Sequence, residues 1–427
     1  MMFTPISFRS IVLLSLSVYI SPGEGVRVCP SWLDYINPFS AKCFDNPDGE
    51  PANITQILQR WGCTVEEHEL LTKDDYFILV VRAVMGSITK PTPIVMGHGL
   101  NTNTLSFVTM FNKTLAFELL QSGYQVFFIN FRGTRYSDRH KTLTKDNEDY
   151  WKFSFHQMGE FDIPAAMDLV ENKTSGTKAV FIGFSMANTA VNIYSILYPE
   201  ESKSRLSGII EMAPVANLTG MRSALKYFTP LYPVIKNLAH LIWHGQLLPI
   251  NRRRNKFCSG SLLGLFLCYS ILALLYGPHY SMLAPLYLPV SLEQNMDVVS
   301  EMLFTHYYQI YEKKQFLEYD YGPDRNKMKY GSAFPPQYNL TKISVPVALV
   351  LGLNDYIAEV KNGRSLYHNM PTSSRCGFKI IADTKWSHNS FVLSKDMPRY
   401  LNSIVMKIIP IMENNLCLRV SASEDIP

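Results

Sequence analysis

The sequence predicts an α/β protein in which helices flank a mostly parallel central sheet. A helical cap or lid is inserted into the chain between two parts of this core. Two observations carry this prediction. From Tyr76 onward, short apolar runs alternate with longer amphipathic segments, which is typical of alternating strands and helices. Between about residues 216 and 300 the alternation stops, and the segment is rich in Leu, Tyr and Pro. Of the 427 residues, 47% are hydrophobic and 18% are charged, so a large core can form.

The strands are predicted where β-branched and aromatic residues cluster, and they span residues 76–84, 93–96, 124–130, 178–182, 206–212, 345–351 and 378–382. Apolar residues spaced by three and four predict helices over residues 162–171, 186–197 and 391–412, the last helical as far as Pro410. These elements divide the chain into a first core part (24–215), a cap or lid insertion (216–300) and a second core part (301–427).

The N-terminus predicts a signal peptide over residues 1–23. Arg9 precedes an apolar stretch at 11–20, and Ser21-Pro22-Gly23 offers small residues for cleavage. The alternative is a short buried helix. Entry into the secretory pathway admits N-glycans, and five N-x-S/T sites are present, at Asn53, Asn112, Asn172, Asn217 and Asn339. We therefore expect a secreted or lysosomal glycoprotein.

Charge and cysteine content exclude several classes of protein. The 40 basic and 36 acidic residues leave a net charge of +4, too small for a nucleic-acid-binding footprint. Seven cysteines are present without a C-x-x-C pair, which argues against a zinc ribbon or a thioredoxin motif. Cys258 and Cys268 are the closest pair and can close a small loop by a disulfide. The odd count leaves at least one thiol free or paired with another chain, and the other pairings stay open.

The cap contains one almost wholly apolar stretch, residues 262–276. Its fifteen residues are fewer than the about 20 that a membrane-spanning helix needs, so we expect a buried or interfacial cap helix and no transmembrane span. A basic run from Arg252 to Lys256 precedes it. That run either favours an anionic lipid surface or forms a solvated loop.

The most informative stretch is Gly183-Phe184-Ser185-Met186-Ala187, which follows a predicted strand and opens a predicted helix. This arrangement is typical of a nucleophile elbow, where small residues flank a serine at a tight strand-to-helix turn. The alternative is a serine that merely caps the helix. We predict that Ser185 is a nucleophile.

A nucleophilic serine needs a base and an acid that orients the base. Asp355 follows the strand at 345–351, and His388 lies in the loop before the last helix, so both fit the chain order Ser, Asp, His. His368 and Asp383 are competitors. His368 lies within a polar, helical stretch, and Asp383 is too close to His388 in sequence to come from a separate strand.

The third requirement is a pair of N–H donors for the developing oxyanion. Gly97-His98-Gly99-Leu100 follows an early strand, and its glycines let the backbone approach a substrate. We predict the N–H groups of Leu100 and Met186 as the donors. The same glycines half match a dinucleotide-binding fingerprint, but Thr102 stands where the third glycine is needed.

Several blocks together resemble the acid lipase family, the gastric and lysosomal type of α/β-hydrolase. The blocks are residues 53–67, 97–100, 130–140, 151–162, 294–296, 319–322, 354–355 and 388. The resemblance covers nearly the whole mature chain and implies hydrolysis of neutral lipid esters, such as triacylglycerols or sterol esters, at a lipid–water interface. No metal or organic cofactor is needed for this chemistry.

The chain departs from the family pattern beside the nucleophile and the base. Phe184 and Ala187 replace the usual His and Gly of the elbow, and Ser387 and Ser390 stand where Asn and Asp are more common. No reacting group is lost. Two rival hypotheses follow: a lipid-binding relative with weak turnover, and a hydrolase of non-lipid esters. The oligomeric state is not encoded in any visible pattern.

Overall fold

The computed structural model describes residues 25–37, 39–49, 53–247 and 252–417, so the predicted signal peptide lies outside the described residues. The central sheet contains eight successive strands: β1 (Cys63–Leu71), β2 (Tyr76–Met85), β3 (Ile94–Gly97), β4 (Val126–Asn130), β5 (Ala179–Phe184), β6 (Leu206–Met212), β7 (Val347–Leu351) and β8 (Arg375–Ile380). Their order across the sheet is β8-β7-β6-β5-β3-β4-β2-β1, and the short strand Arg139–His140 pairs with β2.

The strands β3 to β8 are mutually parallel, and β1 and β2 extend the sheet in the antiparallel sense. Every residue of β3, β4, β5 and β7 is buried, as expected for parallel strands that helices cover on both faces. The predicted mostly parallel α/β sheet is therefore confirmed. Strand β1 was not predicted, because its run Glu66-Glu-His-Glu69 is polar and occupies the sheet edge. Strand β8 begins three residues before the predicted start.

Among the described residues, the α-helices of four or more residues are α1 (Trp32–Ile36), α2 (Ile54–Arg60), α3 (Leu115–Gln121), α4 (Ile163–Lys173), α5 (Met186–Leu197), α6 (Pro199–Arg205), α7 (Tyr232–Trp243), α8 (Arg252–Ser259), α9 (Leu262–Tyr276), α10 (Leu288–Gln294), α11 (Glu301–Lys313), α12 (Pro323–Tyr330), α13 (Val360–Asn369), α14 (Ser390–Leu393) and α15 (Ser403–Glu413). Two short antiparallel pairs lie outside the main sheet: Val26–Val28 with Phe44–Asn46, and Gln246–Leu247 with Val299–Ser300.

The predicted single helix over residues 391–412 is wrong. The chain forms α14, then an extended Ser394, then a π-helical turn at Pro398–Asn402 that continues into α15. Pro398 lacks the N–H that a continuous helix would use, and the Ser394 hydroxyl accepts the N–H of Asp396 instead. Helix α15 also runs past Pro410 to Glu413, because a proline near a helix end removes a single hydrogen bond.

The segment between β6 and α11 is mainly helical where it is described, with α7, α8, α9 and α10. Helix α9 coincides with the predicted apolar stretch. Within the described ranges, no helix combines the length and apolarity that a membrane crossing requires. The basic run at 252–256 belongs to α8, so the expectation of a loop there is wrong.

A carboxyl group lies in the middle of the sheet. Glu211 of β6 is in register with Gly183 of β5 and Leu349 of β7, and its side chain is fully buried. Burial raises the pKa of Glu211 to about 8, against a smaller opposing effect of the neighbouring Asn192 on α5. The folded protein therefore holds a proton here at pH values where the unfolded chain has released it.

We expect this proton to make the fold less stable as the pH rises from about 4.5 to 8. In that window the folded chain binds more protons than the unfolded chain, so the free energy of unfolding falls by up to about 1.4 kcal/mol per pH unit. Replacing Glu211 by Gln should remove this slope, which denaturant unfolding at pH 5, 6.5 and 8 measures. The exposed Glu200→Gln variant is the control. Equal slopes in wild type and Glu211→Gln would contradict the assignment.

Candidate active site

Ser185 lies at the turn between β5 and α5, with backbone angles φ 54° and ψ −110°. A non-glycine residue in this region is strained, and the surrounding structure must hold it there. The N–H of Ser185 donates to the carbonyl of Met212 on β6 at 3.0 Å, which ties the turn to the neighbouring strand. The turn leaves the side chain at the carboxyl edge of the parallel strands.

Two glycines make room for this turn, Gly97 at the end of β3 and Gly99 in the loop that follows it. A Cβ at Gly97 would lie 2.8 Å from the Cβ of Ala187, so Gly97 is what admits the methyl group that departs from the family pattern. A Cβ at Gly99 would lie 3.0 Å from ring carbons of Phe184 and 3.3 Å from the Cβ of Ser185. The loop can approach the serine this closely only without side chains at both positions.

The structure brings the three predicted reacting side chains together. The Nε2 atom of His388 lies 2.8 Å from the Oγ of Ser185, and its Nδ1 atom lies 2.8 Å from the Oδ2 of Asp355. All three residues are buried, and Asp355 is fully so. The carboxylate of Asp355 can only accept a hydrogen bond, so in the neutral imidazole the proton lies on Nδ1. Nε2 is then free to accept a hydrogen bond from the serine hydroxyl.

Asp355 follows β7, and its orientation is set by the backbone. Its Oδ1 atom accepts the N–H groups of Ile357 and Ala358 at 2.8 and 2.7 Å, which leaves Oδ2 for His388. The two competitors lie elsewhere. His368 is exposed on α13, and the carboxylate of Asp383 contacts His279.

The predicted oxyanion donors lie on one small cavity. Leu100 and Met186 both line it, together with Phe153 and Leu303. Within the described residues, neither of their N–H groups donates to another backbone group. Both N–H groups therefore remain available as donors to an oxyanion.

His98 sets the direction of one of these donors. Burial lowers its pKa to about 4, so the imidazole is neutral near pH 7. The N–H of Phe131 donates to Nε2 at 3.1 Å, which assigns the proton to Nδ1, and Nδ1 donates to the carbonyl of Gly99 at 2.9 Å. In a trans peptide the next N–H points the opposite way, so this bond directs the N–H of Leu100 away from His98.

Two aromatic rings flank His388. The ring of Phe184 lies 5.2 Å from the imidazole between centroids, and the ring of Tyr276 stacks on it at 5.6 Å with an interplanar angle of 14°. Phe184 thus occupies an apolar position beside the base and leaves the hydrogen-bond chain intact. Burial raises the pKa of Tyr276, so its hydroxyl stays neutral.

Sequence reasoning missed the residues that support this site from distant parts of the chain. Buried Asp297 accepts the Nδ2–H of Asn103 at 2.9 Å and the N–H of Arg135 at 3.0 Å, which anchors the loop that carries Leu100. The second such residue is Tyr276, whose ring stacks on His388 and whose carbonyl accepts the His388 N–H. Each contact joins residues more than 100 positions apart, so no local sequence pattern predicts it.

The remaining predicted sites are surface features and disulfides. Cys258 and Cys268 form a disulfide, as do Cys29 with Cys43 and Cys376 with Cys417, and Cys63 is a buried free thiol. Among the predicted acceptor asparagines, Asn112, Asn172 and Asn339 are exposed, and Asn53 and Asn217 are half-buried. Within the described residues, no cluster of three or more metal-ligating side chains is present.

Two family models match the chain. Residues 92–236 match the model described as alpha/beta hydrolase fold, and residues 54–111 match the partial alpha/beta-hydrolase lipase region. A crystal structure of a Sulfolobus solfataricus protein superposes with a TM-score of 0.53 at 13% identity, over 81% of this chain and 93% of that one. That likeness supports the fold.

Curated relatives match over most of their length. Lipase member K of Homo sapiens is 30% identical over 87% of this chain and 93% of its own. Lipase member N of Mus musculus is 31% identical over 84% of this chain and 90% of its own. Gastric triacylglycerol lipase of Homo sapiens is 28% identical over 84% and 90%, respectively.

We expect Gly99→Ala to slow the reaction of Ser185 with a fluorophosphonate probe by about 10- to 100-fold, because the added methyl group pushes the Leu100 N–H out of line with Met186. The labelling rate, measured by intact-protein mass spectrometry, checks this. Gly220→Ala is the matched control, since its methyl group would come within 3.5 Å only of the flexible end of Glu359. Equal labelling rates in both variants would contradict the assigned donor loop.

Proposed function

This chain belongs to the acid lipase family of α/β-hydrolases and is a carboxylic ester hydrolase, and from that premise we propose that it cleaves neutral lipid esters through an acyl-enzyme on Ser185. The observation that carries the proposal is the hydrogen-bond chain from Asp355 through His388 to Ser185, with both distances at 2.8 Å. These three hydrogen-bonded side chains are buried, and together with two unused N–H donors they supply the groups that acyl transfer needs.

In the first half of the proposed reaction, the Ser185 oxygen attacks the ester carbonyl carbon and its proton moves to Nε2 of His388. The resulting imidazolium is stabilised by the carboxylate of Asp355. The negative carbonyl oxygen is held by the N–H groups of Leu100 and Met186. When the tetrahedral intermediate collapses, His388 returns the proton to the departing alcohol oxygen, and the acyl group stays on Ser185.

In the second half, water attacks the acyl carbon and His388 takes one of its protons. The collapse breaks the bond to Ser185, which recovers a proton from His388, and the carboxylic acid leaves. The protein starts and ends with the same protonation states. No step calls for a metal ion or an organic cofactor.

The proposed substrates are triacylglycerols or sterol esters at a lipid–water interface. One relative is named for triacylglycerol hydrolysis, and the cap of this chain carries exposed aliphatic side chains that support the same substrate class. On α7, Val234, Leu238 and Leu241 are 69%, 57% and 74% exposed at a spacing that places them on one face. A contiguous exposed apolar face marks an interaction surface.

We also propose entry into the secretory pathway, with a secreted or lysosomal destination and N-glycans on the predicted asparagines. The support is the apolar N-terminal stretch together with three disulfides, which persist in oxidising compartments. The exposed positions of Asn112, Asn172 and Asn339 suit glycan attachment.

The rival function is a lipid-binding relative with weak turnover. This alternative is suggested by Phe184 and Ala187, which depart from the family pattern beside Ser185. The room that Gly97 leaves for Ala187 argues against a blocked site, so we favour the hydrolase.

We expect Ser185→Ala to lower hydrolysis of emulsified triolein and cholesteryl oleate by at least about 10³-fold between pH 4 and 8, because the covalent route disappears. Fatty-acid release by the purified protein is the measurement, and exposed Ser204→Ala is the matched control. A folded wild type that releases no fatty acid and resists fluorophosphonate would favour the binding protein. Turnover of short soluble esters alone would favour a non-lipid substrate.

We expect Leu241→Asp to weaken action on emulsions while sparing soluble esters. Losing one buried leucine contact with lipid corresponds to about 2 kcal/mol, or roughly 10- to 30-fold in adsorption. The ratio of triolein to p-nitrophenyl butyrate hydrolysis measures the effect. The control is Met328→Asp, which places the same charge at an 87% exposed residue outside the cap. An unchanged ratio for Leu241→Asp would contradict an interfacial role for α7.

A further inference from the structure

The end of cap helix α9 contacts both loops that carry the acid and the base. The carbonyl of Tyr276 accepts the N–H of His388 at 3.2 Å and the N–H of Tyr356 at 3.4 Å. Two residues later, the carbonyl of Pro278 accepts the side-chain amide of Asn354 at 2.7 Å. The segment 276–279 therefore lies between the Asp355 loop and the His388 loop and is bonded to each.

His279 completes this segment with its side chain. It is 2% exposed, and its Nδ1 and Nε2 atoms lie 2.9 Å from the Oγ of Ser390 and 3.2 Å from the Oδ2 of Asp383. Its own N–H donates to the hydroxyl of Tyr269 on α9 at 3.2 Å. Asp383 and Ser390 lie on opposite sides of His388 in sequence. One cap side chain thus bridges both ends of the loop that holds the base.

The donors and acceptors of this bridge match the neutral imidazole. Asp383 as a carboxylate can only accept, so Nε2 carries the proton, and Nδ1 accepts from the hydroxyl of Ser390. The oxygen of Ser390 in turn accepts the N–H of Ser387 at 2.9 Å. Burial lowers the pKa of His279, which favours this neutral form. The charged groups that act on the ring are the carboxylates of Asp383 and Asp396 and the ammonium groups of Lys385 and Lys395.

We propose that His279 is a positioning residue for ester hydrolysis: through Asp383 and Ser390 it holds the loop that keeps the His388 imidazole between Ser185 and Asp355. The inference rests on the proposed function, because it takes His388 as the base. It gives Ser387 and Ser390, which depart from the family pattern, a defined place. Ser390 contacts His279 directly, and Ser387 bonds to the Ser390 oxygen through its N–H and its hydroxyl.

The bridge also restricts how the cap can open. Moving segment 276–279 away would break the bonds to His388, Tyr356, Ser390 and Asp383 together and release the base. Opening that preserves activity must therefore leave the end of α9 in place. Among the described residues, α7 makes no such bonds to the two loops, and its polar contacts go instead to Glu148, Glu301 and Thr305.

The test compares wild type, His279→Ala and His279→Gln in hydrolysis of soluble p-nitrophenyl butyrate, which avoids interfacial effects. We expect His279→Ala to lower kcat about 10- to 100-fold with KM within about 3-fold, because displacement of a catalytic group by about 1 Å costs that much. The acid limb of its kcat/KM profile should also move, since the contact of His388 with Asp355 loosens. His279→Gln, whose amide can donate to Asp383, should recover part of kcat.

His306→Ala is the matched control. His306 is equally buried and has two hydrogen-bond partners, Ser154 at 3.0 Å and the carbonyl of Leu317 at 2.8 Å, away from the His388 loop. It should lower the melting temperature while kcat per folded molecule and the pH profile stay as in wild type.

If the wild type is active and His279→Ala keeps the wild-type kcat and pH profile, the inference about His279 is overturned and the proposed function stands. If His279→Ala does not fold, the same result in His279→Gln and Asp383→Asn overturns it. A folded wild type that neither hydrolyses the ester nor reacts with fluorophosphonate would overturn the proposed function, and the inference would fall with it.

Discussion

The strained turn at Ser185 is the constraint on which the rest of the site depends. A serine at φ 54° between a buried strand and a helix is held only if neighbouring elements fit closely around it. The fit comes from Gly97 and Gly99, which let the loop after β3 contact the turn, and from Met212, whose carbonyl accepts the serine N–H. The same close approach brings Leu100 and Met186 to one cavity, so the proposed nucleophile and the proposed oxyanion donors depend on one packing arrangement.

His388, the proposed base, reaches this turn from a loop that the end of α9 contacts. Parallel strands end at one edge of the sheet, so the residues that follow β5, β7 and β8 converge there. Convergence alone does not orient an imidazole. The carbonyl and ring of Tyr276 and the side chain of His279 restrict the His388 loop, and two backbone N–H groups orient Asp355. The proposed cap thus contributes to the geometry of the proposed active site, in addition to its proposed role as a surface for lipid.

The interior beneath Ser185 contains buried polar side chains. Glu211 is fully buried one strand away from β5, and Asn188 on the nucleophile helix donates to the carbonyl of Met212 at 2.8 Å. Because burial disfavours the charged carboxylate, Glu211 stays protonated, and therefore neutral, up to about pH 8. The fold of this chain is therefore favoured by acidic conditions through its core, independently of the charges in the active site.

The sequence by itself determined the alternating elements and the parallel sheet, which follow from local periodicity, and it identified Ser185, Asp355 and His388 as candidates from their positions after strands. The family followed from the resemblance of several motif blocks. It failed where local pattern and tertiary environment disagree. The polar strand β1 is stabilised by pairing with β2, and the expected last helix is interrupted at Ser394 and Pro398. Only the tertiary structure decided that His98 directs the Leu100 peptide, that Asp297 anchors its loop and that His279 bridges the loop of the base. The Asp297 and His279 contacts join residues more than 100 positions apart, and the partner of a hydrogen bond across that distance is chosen by packing of the folded chain rather than by any neighbouring residue.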